Sequence, residues 1–354
     1  MNPLEQQLDY PLGDTQPEAG HVFDVAPGIR WVRMPLPFVL DHVNLWLLRD
    51  CVDGREGWTV VDCGISRDEV KAHWEHVFAH GMDGLPIVRV LVTHMHPDHV
   101  GLADWLCERF EAPLAMTLTD YTTARLFSQA SVQGGATGGE NAAQFFRRHG
   151  MLDEGALQQL RERRKYYNNL VPSVPPSFDR IVDNQMIEIG GKQWQIIIGE
   201  GHAPEHASLY CAQEKIFIAG DMVLPRISTN VSVNDMEPNA DPLRLYLTSL
   251  DKYTFMPEDT LVLPSHGRPF LGLHTRIQQQ RDHHAARLDE VRTACAERAM
   301  SAADVVPIMF HRKLDLHQLT FALGEALAHL HMLYFQGVLR RFLDDQNVIR
   351  FETV

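Results

Sequence analysis

Short apolar runs recur along the first three quarters of the chain, and amphipathic helical patterns fill the last quarter. Ile29–Met34, Val43–Leu48 and Trp58–Val61 predict strands, with Pro35 and Pro37 separating the first pair. Ser66-Arg67-Asp68-Glu69 has the pattern of a capping box and opens a predicted helix that stops near His80, at Gly81. Ile87–Val92 is apolar almost throughout, as expected of a strand buried on both faces, and a helix follows over Val100–Phe110. Further strands are predicted at Ile181–Ile189, Gln193–Ile198, Leu209–Cys211, Ile216–Ala219 and Thr260–Leu263, with a loop and short helix over Met222–Phe255. Residues 1–25 read as an irregular arm. Residues 119–178 are polar and helical and carry the pairs Gly134-Gly135 and Gly138-Gly139, which predicts a helical insertion able to move as a lid. From Arg276 onward the pattern is helical: 276–298, a second helix capped by Ser301-Ala302-Ala303-Asp304, and a third over Asp315–Leu339. The expected organisation is an α/β domain over 1–275 and a helical module over 276–354.

Five of the predicted strands run into a residue able to bind a metal. Trp58–Val61 delivers Asp62; Ile87–Val92 delivers His94, His96, Asp98 and His99; Gln193–Ile198 leads through Gly199-Glu200-Gly201 to His202; Ile216–Ala219 delivers Asp221; and Thr260–Leu263 delivers His266. In α/β sheets, sites gather outside the carboxyl ends of strands. Imidazole nitrogen together with carboxylate oxygen suits zinc, iron or manganese. Four such groups within six residues are too many for one tight tetrahedral site, and they fit two adjacent cations completed by groups from elsewhere in the chain.

The order Asp62, His94-x-His96-x-Asp98-His99, His202, Asp221, His266 resembles the metallo-β-lactamase superfamily. The resemblance implies an αββα sandwich with two divalent metal ions, zinc or alternatively iron or manganese, along one edge. It implies that His94, His96 and His202 hold the first metal and that Asp98, His99 and His266 hold the second. Asp221 then bridges both, and Asp62 stands behind them and orients a ligand. Asp41-His42, Gly201-His202-Ala203-Pro204-Glu205-His206, Leu224-Pro225-Arg226 and Leu263-Pro264-Ser265-His266-Gly267 are similar to the bacterial hydrolases grouped with β-lactamase-like-2 proteins, close to the glyoxalase II enzymes. That likeness implies a winged-helix-like helical tail. Glu205 stands where many relatives have glycine.

Two such cations imply a hydrolase that activates water to hydroxide, with Asp98 helping to hold the nucleophile. The favoured substrate is a small thioester or ester; the other readings are a metal-dependent ribonuclease or phosphodiesterase, and a mononuclear iron dioxygenase or metal-binding regulator. Against the nucleic-acid reading, Lys plus Arg is 32 and Asp plus Glu is 46, a net charge of −14. Tyr166, Tyr167 and Arg226 are candidate substrate contacts, Tyr166-Tyr167 reading equally as packing. His73, His76 and His80 read as a solvated helix face, and His283, His284, His329 and His331 as packing or subunit-contact residues. Five cysteines without a CxxC pair predict a reducing, cytoplasmic setting, and no apolar run approaches the ~20 residues that span a bilayer. A homodimer is allowed by this reading.

Overall fold

The computed structural model describes residues 4–129 and 138–354. Its centre is a pair of stacked sheets. The first has seven strands in sequential order: β1 (Val22–Ala26), β2 (Ile29–Pro35), β3 (His42–Val52), β4 (Arg55–Val61), β5 (Ile87–Leu91), β6 (Leu114–Met116) and β7 (Asp179–Arg180). Pairing is antiparallel through β4 and parallel from β4 to β7. The second sheet has five strands, β8 (Met186–Ile189), β9 (Lys192–Gly199), β10 (His206–Cys211), β11 (Ile216–Gly220) and β12 (Leu261–Pro264), antiparallel except for β11 with β12.

Strand alternation assigns each side chain to a layer. On β3, Trp46 and Leu48 point between the sheets, where they meet Trp31, Trp194, Ile196, Leu209 and Ile218. Val43, Leu45 and Leu47 point the other way, to helices α1 (Asp68–His80), α2 (Pro97–Val100), α3 (Ala103–Phe110) and α4 (Leu118–Ser128). The outer face of the second sheet, through Phe217 and Ala219, meets a third apolar layer built on later helices. These layers make the expected αββα sandwich.

The insertion divides between two layers. Tyr121, Ala124 and Phe127 of α4 pack on the outer face of the first sheet, as do Tyr167 of α7 (Tyr166–Leu170) and Val171 beyond it. Helices α5 (Glu140–Arg148) and α6 (Glu154–Glu162) instead bury Phe145, Phe146, Leu157 and Leu160 in the third layer. There they join α8 (Pro242–Asp251), α9 (Leu273–Glu297), α10 (Ala302–Met309) and α11 (Leu316–Phe335). The hinge pair Gly134-Gly135 lies outside the described residues; Gly139, at φ 93°, starts α5.

Four local expectations differ from the structure. The arm is tethered: its last residues form β1, and Asp9 bridges Leu271. Helix α1 has Arg67 rather than Ser66 as its N-cap and no side-chain cap; the Ser66 backbone N–H instead bonds Leu170 O of α7. Pro97 opens α2, and Gly101-Leu102 separates it from α3 where one helix was expected. The tail is not wholly helical. Helix α11 ends at Phe335, Gly337 takes φ 74°, and β13 (Leu339–Leu343) pairs antiparallel with β14 (Ile349–Thr353). The hairpin supplies the wing of a winged-helix-like module. The Ser301–Asp304 capping box forms as expected, with both reciprocal hydrogen bonds.

Candidate metal centre

The strand ends place the predicted residues along one edge of the sandwich. Asp62 follows β4 in a left-handed backbone conformation, φ 65°. His94 and His96 follow β5, and Pro97 opens the short α2 that carries Asp98 and His99. Gly201, at φ 97°, brings His202 in from β9; a Cβ there would stand 2.3 Å from Pro242 O, so only glycine permits the approach. Asp221 follows β11 and His266 follows β12.

Seven of these side chains converge. His94, His96, His202 and Asp221 form one group, and Asp98, His99 and His266 a second, with each group's ligand atoms within 4.8 Å of one another. His94 Nε2, His96 Nδ1 and His202 Nε2 make a triangle with edges of 2.9, 3.1 and 3.2 Å. Nitrogens about 2.0–2.1 Å from a tetrahedral zinc lie about 3.3 Å apart, so the triangle has the size a cation needs. Asp221 faces both groups: Oδ2 is 3.2 Å from His202 Nε2 and 3.6 Å from His99 Nε2, and Oδ1 is 3.4 Å from His266 Nε2. Asp98 Oδ2 lies 3.5 Å from both His99 Nε2 and His266 Nε2. His99 Nε2 and Asp221 Oδ1 are buried without a hydrogen-bond partner. Buried polar atoms are rarely left so, and orphaned atoms within one such cluster fit an ion among them.

The far sides of the imidazoles are held. His202 Nδ1 donates to Asn230 O at 2.8 Å and His266 Nδ1 donates to His42 O at 2.7 Å. A carbonyl only accepts, so both protons sit on Nδ1, and Nε2 keeps a lone pair in the neutral ring. Asp62, outside both groups, accepts from Thr93 N–H (2.8 Å), from the Thr93 hydroxyl (2.9 Å) and from His99 Nδ1 (2.8 Å). Burial and the neighbouring imidazoles push His94 and His96 well below the usual histidine range. Burial also works against charge on His99, but Asp98, Asp62 and Asp221 outweigh it and hold this ring well above that range. Burial would raise Asp221, yet His266 and His99 hold its carboxyl well below the carboxylate range.

Several supporting residues escape a reading by motif. Asp120 of α4 accepts the Met95 N–H (2.9 Å) and the Glu205 N–H (2.7 Å), tying the two histidine loops together. Burial pushes its carboxyl up to about 6. Glu205, the departure from the glycine of relatives, accepts from Thr119 N–H at 3.0 Å in the first turn of α4. Asn44 donates to Pro264 O and Gly267 O, and His42 Nε2 accepts from Gly267 N–H at 2.9 Å. His206 accepts from Asp221 N–H at 3.1 Å, and burial pushes it down to about 3, so it serves as a neutral acceptor. The only advance signal at Asn44 is a polar residue inside an apolar run. At Asp120 it is a Thr117-x-x-Asp pattern that reads as ordinary capping.

The candidate substrate residues separate. Tyr167 is buried, and its hydroxyl donates to Met95 O, which commits it to the histidine loop rather than to a ligand. Tyr166 is half-buried; burial pushes its hydroxyl up to about 12, against the nearby Arg163, and the charge of Asp98 adds to the rise. Its ring lies 5.8 Å from that of His317, which stacks on Phe38 and meets Phe321. The loop before β3, the insertion and α11 therefore share one aromatic seam. Arg226 is exposed, next to Pro225, which a Cβ on Gly267 would touch.

The chain is similar to known proteins. The family model described as Metallo-beta-lactamase superfamily matches residues 39–266, and that of the Metallo-beta-lactamase-like, C-terminal domain matches 288–354. A Beta-lactamase domain protein from Burkholderia ambifaria is 55% identical, with a TM-score of 0.94 and 100% of both chains covered. A metallo-beta-lactamase family protein from Thermus thermophilus is 25% identical, with a TM-score of 0.75 over 94% of this chain and 100% of that one. The Bacillus subtilis (strain 168) protein named Probable metallo-hydrolase YqjP is 24% identical over 91% of this chain and 97% of its own length. With the histidine and aspartate cluster at the sheet edge, these matches make the chain a metal-dependent hydrolase, and it belongs to the metallo-beta-lactamase superfamily.

Proposed function

We propose that the chain is a two-metal hydrolase of small thioesters or esters. The observation that carries the two-metal reading is Asp221, whose carboxylate lies between the two ligand groups, with Oδ2 near both His202 and His99 and Oδ1 near His266. Under this reading His94, His96 and His202 hold one divalent cation, zinc by preference for this donor set, and Asp98, His99 and His266 hold the other. When bound, such cations lower the pKa of a shared water and polarise the substrate oxygen. The chain's residues supply the rest. Asn230 and His42 carbonyls fix the His202 and His266 tautomers. Asp62 fixes His99, and Asp98 is placed to orient the attacking oxygen and accept its proton. Asp221, held by His206 through its backbone, keeps the two groups together.

The seam of Phe38, Tyr166, His317 and Phe321 offers an apolar wall suited to an acyl chain, with the Tyr166 hydroxyl and Arg226 as polar contacts. The insertion contributes Tyr166 to this wall, and under this reading its α4 and α7 side serves as the lid. A net charge of −14 disfavours long polyanions, and the five cysteines are all free thiols, in keeping with a reducing cytoplasm. Among the described residues no helix is long and apolar enough to cross a membrane.

The test is a kcat/KM comparison of the metal-loaded chain on acyl thioesters, lactones, p-nitrophenyl esters, bis-p-nitrophenyl phosphate and RNA. A thioester or ester should lead by at least about tenfold, or about 1.4 kcal/mol of transition-state binding. Leading turnover of the phosphodiester or of RNA would replace this substrate class.

A further inference from the structure

A concavity lies where the insertion, the loop after Val233 and the C-terminal wing meet. It encloses about 540 Å³ and is lined by Phe145, Arg148, His149, Asp235, Arg341 and Phe342, with amide side chains at its margin. That is room for a small molecule. Among the described residues none of these six is hydrogen-bonded to the histidine and aspartate cluster.

The polar groups in this wall are unspent. The His149 side chain is 3% exposed, and its Nδ1 is buried with no hydrogen-bond partner. Asp235 Oδ1 is likewise buried and without a partner. The Arg148 side chain makes no hydrogen bond or ion pair among the described residues, and that of Arg341 only donates to Asn239 Oδ1 at 3.1 Å while stacking over Tyr334. Leaving a buried donor or acceptor unmet costs about 1–3 kcal/mol, so two such atoms in one wall call for a ligand. Burial, His331 and the two guanidiniums hold His149 down to about 3, so its ring is neutral near pH 7. Burial pushes Asp235 up to about 6, and it is therefore mostly ionised at that pH. The wall then carries two positive charges, one negative charge and a neutral imidazole.

We propose that this cavity is a binding site for a zwitterionic carboxylate of the amino-acid class. Its carboxylate pairs with Arg148 and Arg341, its ammonium group meets the Asp235 carboxylate, and its stem lies against Phe145 and Phe342. The excess of one positive charge favours a ligand with a second carboxylate. Because α5 and the wing hairpin both contribute, occupancy links the insertion to the C-terminal module.

The test is calorimetric titration of the full, metal-loaded chain with L-glutamate, with sodium acetate and inorganic phosphate as separate arms. L-glutamate should saturate with a Kd at or below about 1 mM. Arg148→Ala and Asp235→Asn should each weaken it at least about tenfold, as expected for charge-assisted pairs. Arg148 is exposed, so its replacement leaves the core intact; Asp235→Asn removes only an unpaired charge. Three results would overturn the proposal: no saturation up to about 10 mM, affinity unchanged in both variants, or phosphate or acetate binding as tightly as L-glutamate and indifferent to Asp235→Asn.

Discussion

Replacing Asp62 by Asn perturbs the site without touching a proposed metal ligand. The carboxylate is 1% exposed and receives the Thr93 N–H, the Thr93 hydroxyl and His99 Nδ1–H, each near 2.8–3.0 Å. Asparagine tolerates the left-handed backbone at φ 65° and keeps one oxygen for the Thr93 N–H. Its amide nitrogen then faces His99 Nδ1, where it can only donate. His99 must accept on Nδ1, which moves the ring proton to Nε2, the atom aimed at Asp98 and Asp221. A cation must then displace that proton against the wrong tautomer. Loss of such an orienting partner lowers metal affinity by roughly 10–100-fold, or about 1.4–2.8 kcal/mol. The loss should fall on the ion held by His99, with the one held by His94, His96 and His202 bound as before. Competition with a chromophoric zinc chelator resolves the two affinities. Wild-type affinity at both sites would refute the tautomer argument, and loss of both metals would make Asp62 a direct ligand.

Two further changes probe the surrounding chain. Asp120→Asn leaves either the Met95 or the Glu205 N–H facing an amide donor, and should cost about 1–3 kcal/mol in urea unfolding; an unchanged midpoint would show that the two loops do not depend on this tie. Glu325 on α11 is 8% exposed, and burial pushes its carboxyl from 4.5 up to about 7, against the pull of Arg287. A carboxyl raised on folding contributes stability that is present below its unfolded pKa and lost as pH rises through about 7. Glu325→Gln should therefore flatten the decline between about pH 4.5 and 7 and stabilise the chain above it by up to about 3 kcal/mol; parallel stability profiles for the two proteins would exclude the effect.

Much of the fold is legible because both faces of the central strands are buried, which leaves apolar runs such as Ile87–Val92 with a chemically distinct residue at the end. The candidate ligand positions stand out for the same reason: a histidine or aspartate following such a run has few structural uses. Pairing across the chain is not. Asn44 bonds Pro264 O and Gly267 O, more than 200 residues away, and nothing near it in sequence encodes that. The insertion reads as one unit from its polarity, yet it splits because Phe145 and Phe146 complete the layer beneath α10 and α11 while Tyr121 and Phe127 complete another. The wing hairpin hides behind the long α11 pattern. Its signals are Gly337, the alternation of Leu339–Leu343 and the polar turn from Asp344 to Asn347, where Asn347 takes φ 59°.

The central claim, two cations sharing Asp221 at a hydrolytic site, is tested most directly by metal content measured alongside turnover during stepwise reconstitution of the metal-free chain. The account predicts that ester or thioester hydrolysis rises to a plateau at two divalent ions per chain. It also predicts that Asp221→Ala binds neither ion firmly and stays inactive. A plateau at a single iron per chain with oxygen consumption, or full turnover in Asp221→Ala, would contradict it.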